Sequence, residues 1–372
     1  MHQGITRGLL ILGLTFLLSF QSAFANWENP ANKYLDAHKA YDSATCPFKP
    51  SAIQHYVYFA RDRSKLKGHP LLSHPAFAGA QIMYQWAELE PERGKYDFSN
   101  ILADIKFLKK YNKSLFIQLQ DVTFYGDAIA APDYLRSKEF DGGVIEQVNK
   151  SGKSEGWAVK RWNPKVRQRF ALLLNAMGKA LDGKIAGINL QETALGDYEI
   201  KDKTFNNKLY ADAIKANMLA LKNAFPRATK IQYANFMPGE WLPWEDKGYL
   251  KSIYAYGEEI GVGLGGPDLM FTRKGQLNHT IAMMHENSFS VPFSIAIQDG
   301  NYIGYTGADG AIADSVKTQR VNLVPKLYEF ARDFMGVKIM FWVDQAPYFE
   351  EDLLPCLPLP ANNNAKKDDN AD

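Results

Sequence analysis

Short β-rich runs alternate with longer amphipathic stretches through most of the 372-residue chain. The longer stretches repeat their apolar residues at helical spacing, while the short runs have the length and composition of strands. This alternation is typical of parallel strands joined by helices. The predicted strands lie near 55–60, 79–84, 114–120, 184–190, 230–235, 260–264, 291–298 and 337–343.

The predicted helices carry start and stop signals as well as apolar stripes. Ser99 is expected to cap the helix after strand two, Asn163-Pro164 supplies a cap and a first-turn proline after strand three, and Gly336 ends the last long helix. We expect the stripes to face the core and to have no functional role. Their residues are Ile101, Ile105, Leu108, Phe170, Leu173, Leu174, Met177, Leu181, Leu209, Ala213, Ile214, Leu219, Leu221, Val321, Val324, Leu327, Tyr328, Ala331 and Phe334.

Eight βα units in a chain of this size predict a (β/α)₈ TIM barrel, in a single domain over residues 26–360. A doubly wound sheet is the alternative, but no G-x-G-x-x-G or phosphate loop follows any strand. Long loops follow strand three (121–162) and strand five (235–250), and the glycines of the first suggest a small hairpin. Both loops leave the carboxyl ends of strands, the face where barrel enzymes place their active sites.

The first 25 residues have the pattern of a secretory signal peptide. Arg7 precedes an almost wholly apolar run at 9–20, and residues 23–25 form a small-x-small cleavage site before Asn26. An uncleaved membrane anchor is the alternative, but the run is shorter than the roughly 20 residues that a span needs. We predict a secreted or periplasmic protein with no stable membrane insertion. Residues 361–372 have no large apolar side chain and are predicted to be a disordered tail.

The sequence has 43 basic and 41 acidic side chains. This balance gives no reason to expect nucleic acid or an anionic membrane as a partner, and it is compatible with a neutral substrate and a monomer. Two cysteines, Cys46 and Cys356, lie near the ends of the predicted domain. An oxidising compartment, and a barrel that brings its first and last elements side by side, favour a disulfide over two buried thiols.

The most specific segment follows strand two and reads YQWAELEPERGKYDF over residues 84–98. It resembles the clan A glycoside hydrolases, in which a W-x-x-L-E-P-x-x-G-x-Y-D-F phrase occupies this place. Much of the phrase is structural, so the resemblance implies the barrel fold more directly than it implies catalysis. Trp86 is expected either to face a sugar or to pack under the loop, and Glu88 and Glu90 are expected to fix the loop.

The segment IAGINLQET, residues 185–193, resembles strand four of the same clan. That strand ends in a glutamate that protonates the leaving oxygen, and the position falls here on Glu192. Glycosidic cleavage needs one carboxyl group with a raised pKa and a second carboxylate opposite it. The clan usually has asparagine before this glutamate, whereas Gln191 here keeps the amide and lengthens it by a methylene. A structural hydrogen bond is the alternative role for Glu192.

The second carboxylate departs from the clan pattern. The resemblance implies a nucleophilic glutamate at the end of strand seven, where this chain has Gln298, which cannot act as a carboxylate. Asp299 comes next and is the first choice, although neighbouring side chains of a regular strand point to opposite faces. Asp268 after strand six and Glu240 after strand five are the other candidates. Each of the three also has a structural interpretation.

Aromatic side chains are expected to complete the site, because pyranose rings present flat C–H faces that pack on them. Trp342 resembles the strand-eight tryptophan that floors the clan's site, while Trp241 and Trp244 lie in the loop after strand five. Gln191 and Gln298 are further expected substrate contacts. The seven histidines have no metal-ligand spacing and no nucleophile elbow occurs, so neither a metal nor another cofactor is expected.

Two hypotheses of function follow. The first is a glycoside hydrolase acting on a β-linked oligo- or polysaccharide, with Glu192 as general acid/base and Asp299 as nucleophile or base. For this hypothesis the clan resemblance implies retention of configuration, which Gln298 puts in question. The second is a carbohydrate-binding barrel that has lost its strand-seven nucleophile and does not hydrolyse. A second carboxylate facing Glu192 distinguishes the two.

Overall fold

The computed structural model describes residues 32–358 except 127, 149–150, 197–199, 201, 241 and 307–312. Eight parallel strands form a closed barrel, in which the first strand pairs with both the second and the last. The predicted (β/α)₈ barrel is therefore confirmed. Barrel strands one to eight are β1 (Gln54–Tyr58), β2 (Phe77–Gln85), β3 (Ser114–Gln120), β6 (Gly187–Leu190), β7 (Thr229–Tyr233), β8 (Gly263–Gly266), β9 (Phe293–Ile297) and β10 (Ile339–Val343).

The loop after β3 holds the antiparallel hairpin that its glycines suggested, made of β4 (Val144–Val148) and β5 (Ser154–Val159). Buried Gln147 attaches this hairpin to the barrel mouth. Its Nε2 donates to the carbonyl of Thr123 at 2.6 Å, and its Oε1 accepts from the amide of Gly196, four residues after Glu192, at 2.6 Å. The hairpin is therefore part of the wall around the carboxyl end of barrel strand four.

Helices cover the outside of the barrel, and some of their ends differ from the prediction. Asn163 caps as predicted, because its Oδ1 accepts from the amides of Lys165 and Val166. The carboxylate of Asp97 accepts from the amide of Ser99, so Ser99 begins its helix instead of capping it. Among the described residues, no helix is long and apolar enough to cross a membrane. The helices are α1 (Trp86–Leu89), α2 (Ser99–Lys109), α3 (Pro164–Leu181), α4 (Asn207–Ala224), α5 (Tyr249–Ile260), α6 (Lys274–Gln276), α7 (Ala282–Glu286) and α8 (Val324–Glu329), and π-helical turns at Leu277–Ile281 and Phe330–Phe334 continue α6 and α8.

Most of the predicted apolar stripes face the core, with three exceptions. Leu209 and Leu219 on α4 are 39% and 40% exposed, and Val321, which precedes α8, is 53% exposed. The prediction was wrong at Leu209 and Leu219 because α4 has apolar residues on both faces, and the buried face runs through Tyr210 and Ile214. Val321 lies outside the helix to which the stripe assigned it.

Alternation along the strands divides the barrel interior into an apolar floor and a polar layer above it. Tyr56, Phe116 and Phe341 point inward and pack on one another, with ring centroids 4.9–5.7 Å apart. Nearer the carboxyl ends, Gln81 Nε2 donates to Asn189 Oδ1 at 2.9 Å and to the Tyr233 hydroxyl at 3.0 Å. The mouth of the barrel is thus lined by hydrogen-bonding groups that rest on an aromatic base.

The predicted disulfide joins Cys46 to Cys356, with the two Cα atoms 4.5 Å apart. The amide of Phe48 also donates to the carbonyl of Cys356 at 2.7 Å, so the segment before β1 is bonded twice to the end of the described chain. A disulfide stabilises a fold largely by restricting the unfolded chain, and this one closes a span of 310 residues.

We predict that replacing Cys46 and Cys356 together by alanine lowers the free energy of unfolding by about 2–5 kcal/mol. Urea unfolding measured by circular dichroism checks this value. A thiol reductant should destabilise the natural protein by a similar amount and leave the double variant unaffected. Equal midpoints for the natural and variant proteins would contradict a structural role for the bond.

Candidate active site

Glu192 lies just beyond the carboxyl end of β6, and its backbone is fixed on both sides. Its carbonyl accepts a hydrogen bond from Arg161 Nη1 at 2.7 Å. The amide of Thr193 donates to the carbonyl of Tyr233 at the end of β7, and the Tyr210 hydroxyl donates to the Thr193 carbonyl at 2.9 Å. Position 192 is therefore held between barrel strands four and five.

Arg161 reaches this position from the end of the β4–β5 insertion, and it is almost completely buried. Its Nε and Nη2 donate to both oxygens of Asp121, at 2.8 and 2.5 Å, in a bidentate ion pair. Its Nη1 also donates to the Tyr210 hydroxyl at 2.8 Å. One guanidinium thus connects the end of β3, the insertion, the loop after β6 and helix α4.

The Glu192 carboxyl accepts a hydrogen bond from Asn235 in the loop after β7. Asn235 Nδ2 lies 2.5 Å from Glu192 Oε2. The Asn235 Oδ1 accepts from the backbone amides of Ala194, at 3.3 Å, and Phe236, at 2.9 Å. Because these amides can only donate, the side-chain amide of Asn235 must turn its NH₂ group toward Glu192.

The pKa of Glu192 is raised to about 8. Burial is the main cause, since the ionised form loses hydration, and repulsion from Asp268 adds to it. The hydrogen bond from Asn235 and the charge of Arg161 oppose the shift without cancelling it. Glu192 therefore keeps its proton at neutral pH while its residue still has partial contact with solvent, and it can donate that proton.

Asp268 follows β8, in a left-handed backbone conformation with φ of 61°. Its Oδ1 accepts from Nδ2 of the fully buried Asn301 at 2.8 Å. Asn301 is oriented in turn, because its Oδ1 accepts from the amide of Gln298 at 2.7 Å. The Asp268 carbonyl accepts from Gln276 Nε2. Contacts on both sides thus hold this carboxylate near the mouth.

Asp299 lies in different surroundings. It is exposed at the end of β9, and its charge acts on Lys65, Asp344 and Tyr58, on the side of the mouth formed by barrel strands one, seven and eight. Although the residue as a whole is exposed, partial loss of hydration at its carboxyl group raises the pKa of Asp299; Lys65 opposes this and Asp344 adds to it. Among the described residues, the charges that shift the pKa of Glu192 are those of Asp268 and Arg161. Asp299 as second carboxylate stays a prediction, and the electrostatics favour Asp268.

Glu240 has a structural role. It is fully buried, and its carboxylate accepts from the amides of Lys247, Tyr249 and Leu250 at 2.7–3.0 Å, at the start of α5. Burial raises the pKa of Glu240, but His279, whose Nε2 lies 3.5 Å from Oε1, and the hydrogen bonds from these amides outweigh it and lower the pKa. A carboxylate committed to a helix start cannot also serve as the second group opposite Glu192.

Comparison with solved structures finds the same fold. The catalytic domain of β-amylase from Paenibacillus polymyxa superposes with a TM-score of 0.50 at 7% identity, over 79% of this chain and 93% of that one. The chain shares the barrel fold of this catalytic domain. Lower scores are found for endo-glycoceramidase II from Rhodococcus sp. (TM-score 0.45, 12% identity, 80% and 75% coverage) and xylanase 10B from Thermotoga petrophila RKU-1 (0.44, 12%, 78% and 82%). No protein-family model matches the sequence, and no curated protein does.

The fold that the resemblance implied is thus confirmed. Two of the predicted aromatic contacts, however, lie away from the mouth. Trp342 is fully buried and points outward from β10, where its Nε1 donates to His55 Nδ1 at 3.0 Å and its ring stacks on Phe48. Strand alternation explains this, since the neighbouring Phe341 points inward. A sugar in the mouth cannot contact this buried ring, so Trp342 does not form the expected floor of the site.

Trp86 packs under the loop, which was the alternative interpretation. The ring is fully buried against Phe170, and its Nε1 donates to Glu90 Oε2 at 2.8 Å. Glu90 also accepts from the amide of Gly94 and from Arg169, so it fixes the loop as predicted. The segment after strand two therefore stabilises its own loop.

Trp244, Gln191 and Gln298 are the remaining predicted contacts that the structure describes. Trp244, in the loop after β7, is 48% exposed, and Trp241 lies outside the described residues. Gln191 is buried and its Oε1 lies 3.5 Å from Gln118 Nε2, while Gln298 is half-buried at the end of β9. Among the described residues, no cluster of His, Cys, Asp or Glu is arranged to hold a metal ion.

Sequence reasoning missed Asp121, Arg161, Asn235 and Asn301. Asp121 and Asn235 had a usable signal, because each is a polar residue one or two positions after a buried strand, at the face where a barrel places its site. Arg161 and Asn301 had no such signal. Their roles depend on partners 40 and 33 positions away in the sequence, Asp121 and Asp268.

We predict that Arg161→Met lowers the free energy of unfolding by about 3–5 kcal/mol, because it leaves the charge of Asp121 buried and unpaired. Adding Asp121→Leu should restore part of the loss. Arg93→Met is the matched control, since its ion pair with Glu139 is exposed and worth about 0–1 kcal/mol. Urea unfolding measures all four proteins, and equal losses for Arg161→Met and Arg93→Met would contradict the prediction.

A second prediction concerns pH. Between about 4.5 and about 8 the folded protein keeps a proton on Glu192 that the unfolded chain releases, so this group makes the protein less stable as pH rises. Glu192→Gln removes the effect, and its melting temperature relative to the natural protein should rise from pH 5 to pH 8 and then level off. The gain corresponds to on the order of a few kcal/mol.

Glu240→Gln is the control of opposite sign, because the lowered pKa of Glu240 makes its ionised form stabilising. This variant should melt below the natural protein once the pH is above the ordinary range for a carboxyl group. Scanning calorimetry across the pH series measures both variants. A pH-independent difference for Glu192→Gln would show that the Glu192 carboxyl titrates normally.

Proposed function

We propose that the protein is a glycoside hydrolase that cleaves a β-linked oligo- or polysaccharide, with Glu192 as its general acid. One observation supports this most directly. A mostly buried carboxyl group with a pKa of about 8 lies at the carboxyl end of barrel strand four, where barrel enzymes place catalytic groups. Such a group is protonated at neutral pH and is suited to protonating a leaving oxygen.

The surroundings of Glu192 suit this role. Asn235 binds one carboxyl oxygen, which leaves the other for the substrate, and Arg161 holds the backbone so that the proton is presented from a fixed position. Trp244 offers an exposed indole for a sugar ring, and Gln191 and Gln298 supply amides for hydroxyl groups. Trp241 remains a proposed contact. The β linkage rests on the resemblance of the strand-two and strand-four segments.

Location is also part of the proposal. The predicted signal segment, 1–25, and the predicted tail, 361–372, lie outside the described residues. We propose that cleavage before Asn26 delivers the barrel to the periplasm or the medium, where polysaccharides are accessible. N-terminal sequencing of the protein recovered from its producing cells tests the cleavage site.

We predict turnover on at least one β-linked substrate in a panel of aryl glycosides and polysaccharides that also contains α-linked members. On the alkaline side of the pH profile, the rate should fall above about pH 8, because the acid must be protonated. Just below that pH it should be constant. Glu192→Gln should reduce kcat by roughly 10²–10⁴-fold on substrates with poor leaving groups. Released sugar measured across a pH series checks both effects.

Activity that survives Glu192→Gln would remove Glu192 from the mechanism, and turnover of α-linked members alone would overturn the linkage. Aryl glycosides with good leaving groups are the internal control, because they need little help from an acid and should be much less sensitive to Glu192→Gln.

A non-hydrolytic carbohydrate-binding barrel is the second candidate. The observation that favours it is Gln298, an amide where the resemblance implies the strand-seven carboxylate. This candidate predicts saturable binding of an oligosaccharide by calorimetry, no product after prolonged incubation, and unchanged binding in Glu192→Gln.

A further inference from the structure

We propose that Asp268, on the loop after barrel strand six, is the second carboxylate of the site and acts as a general base on water, so that the hydrolysis inverts the anomeric configuration. This inference rests on the proposed function. The clan resemblance places the second carboxylate on barrel strand seven, whereas this inference places it after the neighbouring strand six.

Position is the first argument. β6 and β8 flank β7, and neighbouring strands lie roughly 4.8 Å apart, so the ends of β6 and β8 are about 10 Å apart. Glu192 extends from one of these ends and Asp268 from the other, with Asn235 on the loop between them. Only one strand, β7, therefore separates the two groups at the mouth. A carboxylate that activates water on the face opposite the leaving group gives inversion.

Barrel strand six is packed too closely against its neighbours to carry a side chain on its inner face at Gly265. β8 reads Gly-Leu-Gly-Gly, and a Cβ at Gly265 would lie 2.2 Å from Ser294 Oγ and 3.2 Å from the Tyr233 ring. The strand therefore projects no side chain at this level of the barrel interior, and Asp268 supplies the next ionisable group along the chain.

Fixation of the carboxylate is the second argument. Asn301 binds Oδ1 of Asp268 from strand seven, and the backbone amide of Gln298 orients Asn301. The residue that replaces the expected nucleophile thus helps to hold the carboxylate of the adjacent strand. Aspartate is also one of the residues that accept the left-handed backbone found at position 268.

Electrostatics agree with this position. The charge of Asp268 raises the pKa of Glu192, and it also raises the pKa of Tyr233 and Tyr58, whose strands lie on either side of the mouth. The charges of Asp268 and Asp299 both act on Tyr58, but among the described residues only that of Asp268 raises the pKa of Glu192 and of Tyr233. An ionised Asp268 and a protonated Glu192 are the two forms that a general base and a general acid require.

The reaction balances with water as the only co-reactant. Asp268 takes a proton from a water molecule as its oxygen forms a bond to the anomeric carbon on the face opposite the leaving group. The glycosidic C–O bond breaks, and Glu192 gives its proton to the departing oxygen. Asp268 then releases a proton to solvent and Glu192 regains one, so neither group is consumed.

Three variants and one spectrum test the inference. Asp268→Asn should reduce kcat by roughly 10²–10⁴-fold with little change in KM, and much more than Asp299→Asn does. Proton NMR during turnover of a β-aryl glycoside by the natural protein should show the α-anomer as first product. Asp268→Ala, supplied with azide, should regain turnover and yield the α-glycosyl azide. Asp133→Asn, at an exposed surface site, is the control for a carboxylate-to-amide change outside the site. Thermal unfolding confirms that each variant is folded.

The possible failures are distinguishable. If Glu192→Gln abolishes turnover but Asp268→Asn loses no more than Asp299→Asn, or if the β-anomer appears first, the assignment of Asp268 is overturned and the proposed glycosidase activity remains. If the natural protein turns over no glycoside at all, the proposed function itself fails and takes this inference with it.

Discussion

The buried guanidinium of Arg161 is the connection on which the geometry of the site depends. It joins Asp121, Tyr210 and the carbonyl of Glu192, which belong to three separate parts of the barrel. Removing both ions of the Arg161–Asp121 pair from water costs several kcal/mol, so the pair contributes position more than net stability. Because arginine cannot lose its proton in a protein, the backbone of Glu192 is held whatever the charge of its side chain.

Glu192 and Asp268 lie in environments that favour opposite protonation states. Burial and the neighbouring negative charge keep the proton on Glu192, while a hydrogen bond from buried Asn301 stabilises the ionised form of Asp268. The charge on Asp268 is one reason that Glu192 stays neutral. Loss of that charge therefore lowers the pKa of Glu192.

Much of the fold could be predicted from the sequence, because periodicity and local turn chemistry determine it. The eight strands, the Asn163 cap, the glycine-rich hairpin and the disulfide all follow from local patterns or from barrel closure. Glu192 could be predicted as a candidate because its place depends only on the end of one strand. The strand-two phrase predicted the barrel correctly, and its Trp86 and Glu90 turned out to stabilise the loop.

The rest of the site depends on information that local patterns do not contain. Trp342 was assigned to the mouth because it resembles the clan's strand-eight tryptophan, but one position of strand register decides whether a side chain points into the barrel or out of it. The choice between Asp299 and Asp268 depends on a left-handed backbone and on an asparagine from another loop. Partners so distant in sequence become evident only when the chain is folded.

The bond between Cys46 and Cys356 makes the described barrel a covalent ring of chain. Residues 151–153, at the tip of the β4–β5 hairpin, are exposed and open to proteases. One cut there opens the ring without releasing a fragment, and the two pieces stay together until the bond is reduced. A nicked molecule can therefore keep its strands in register.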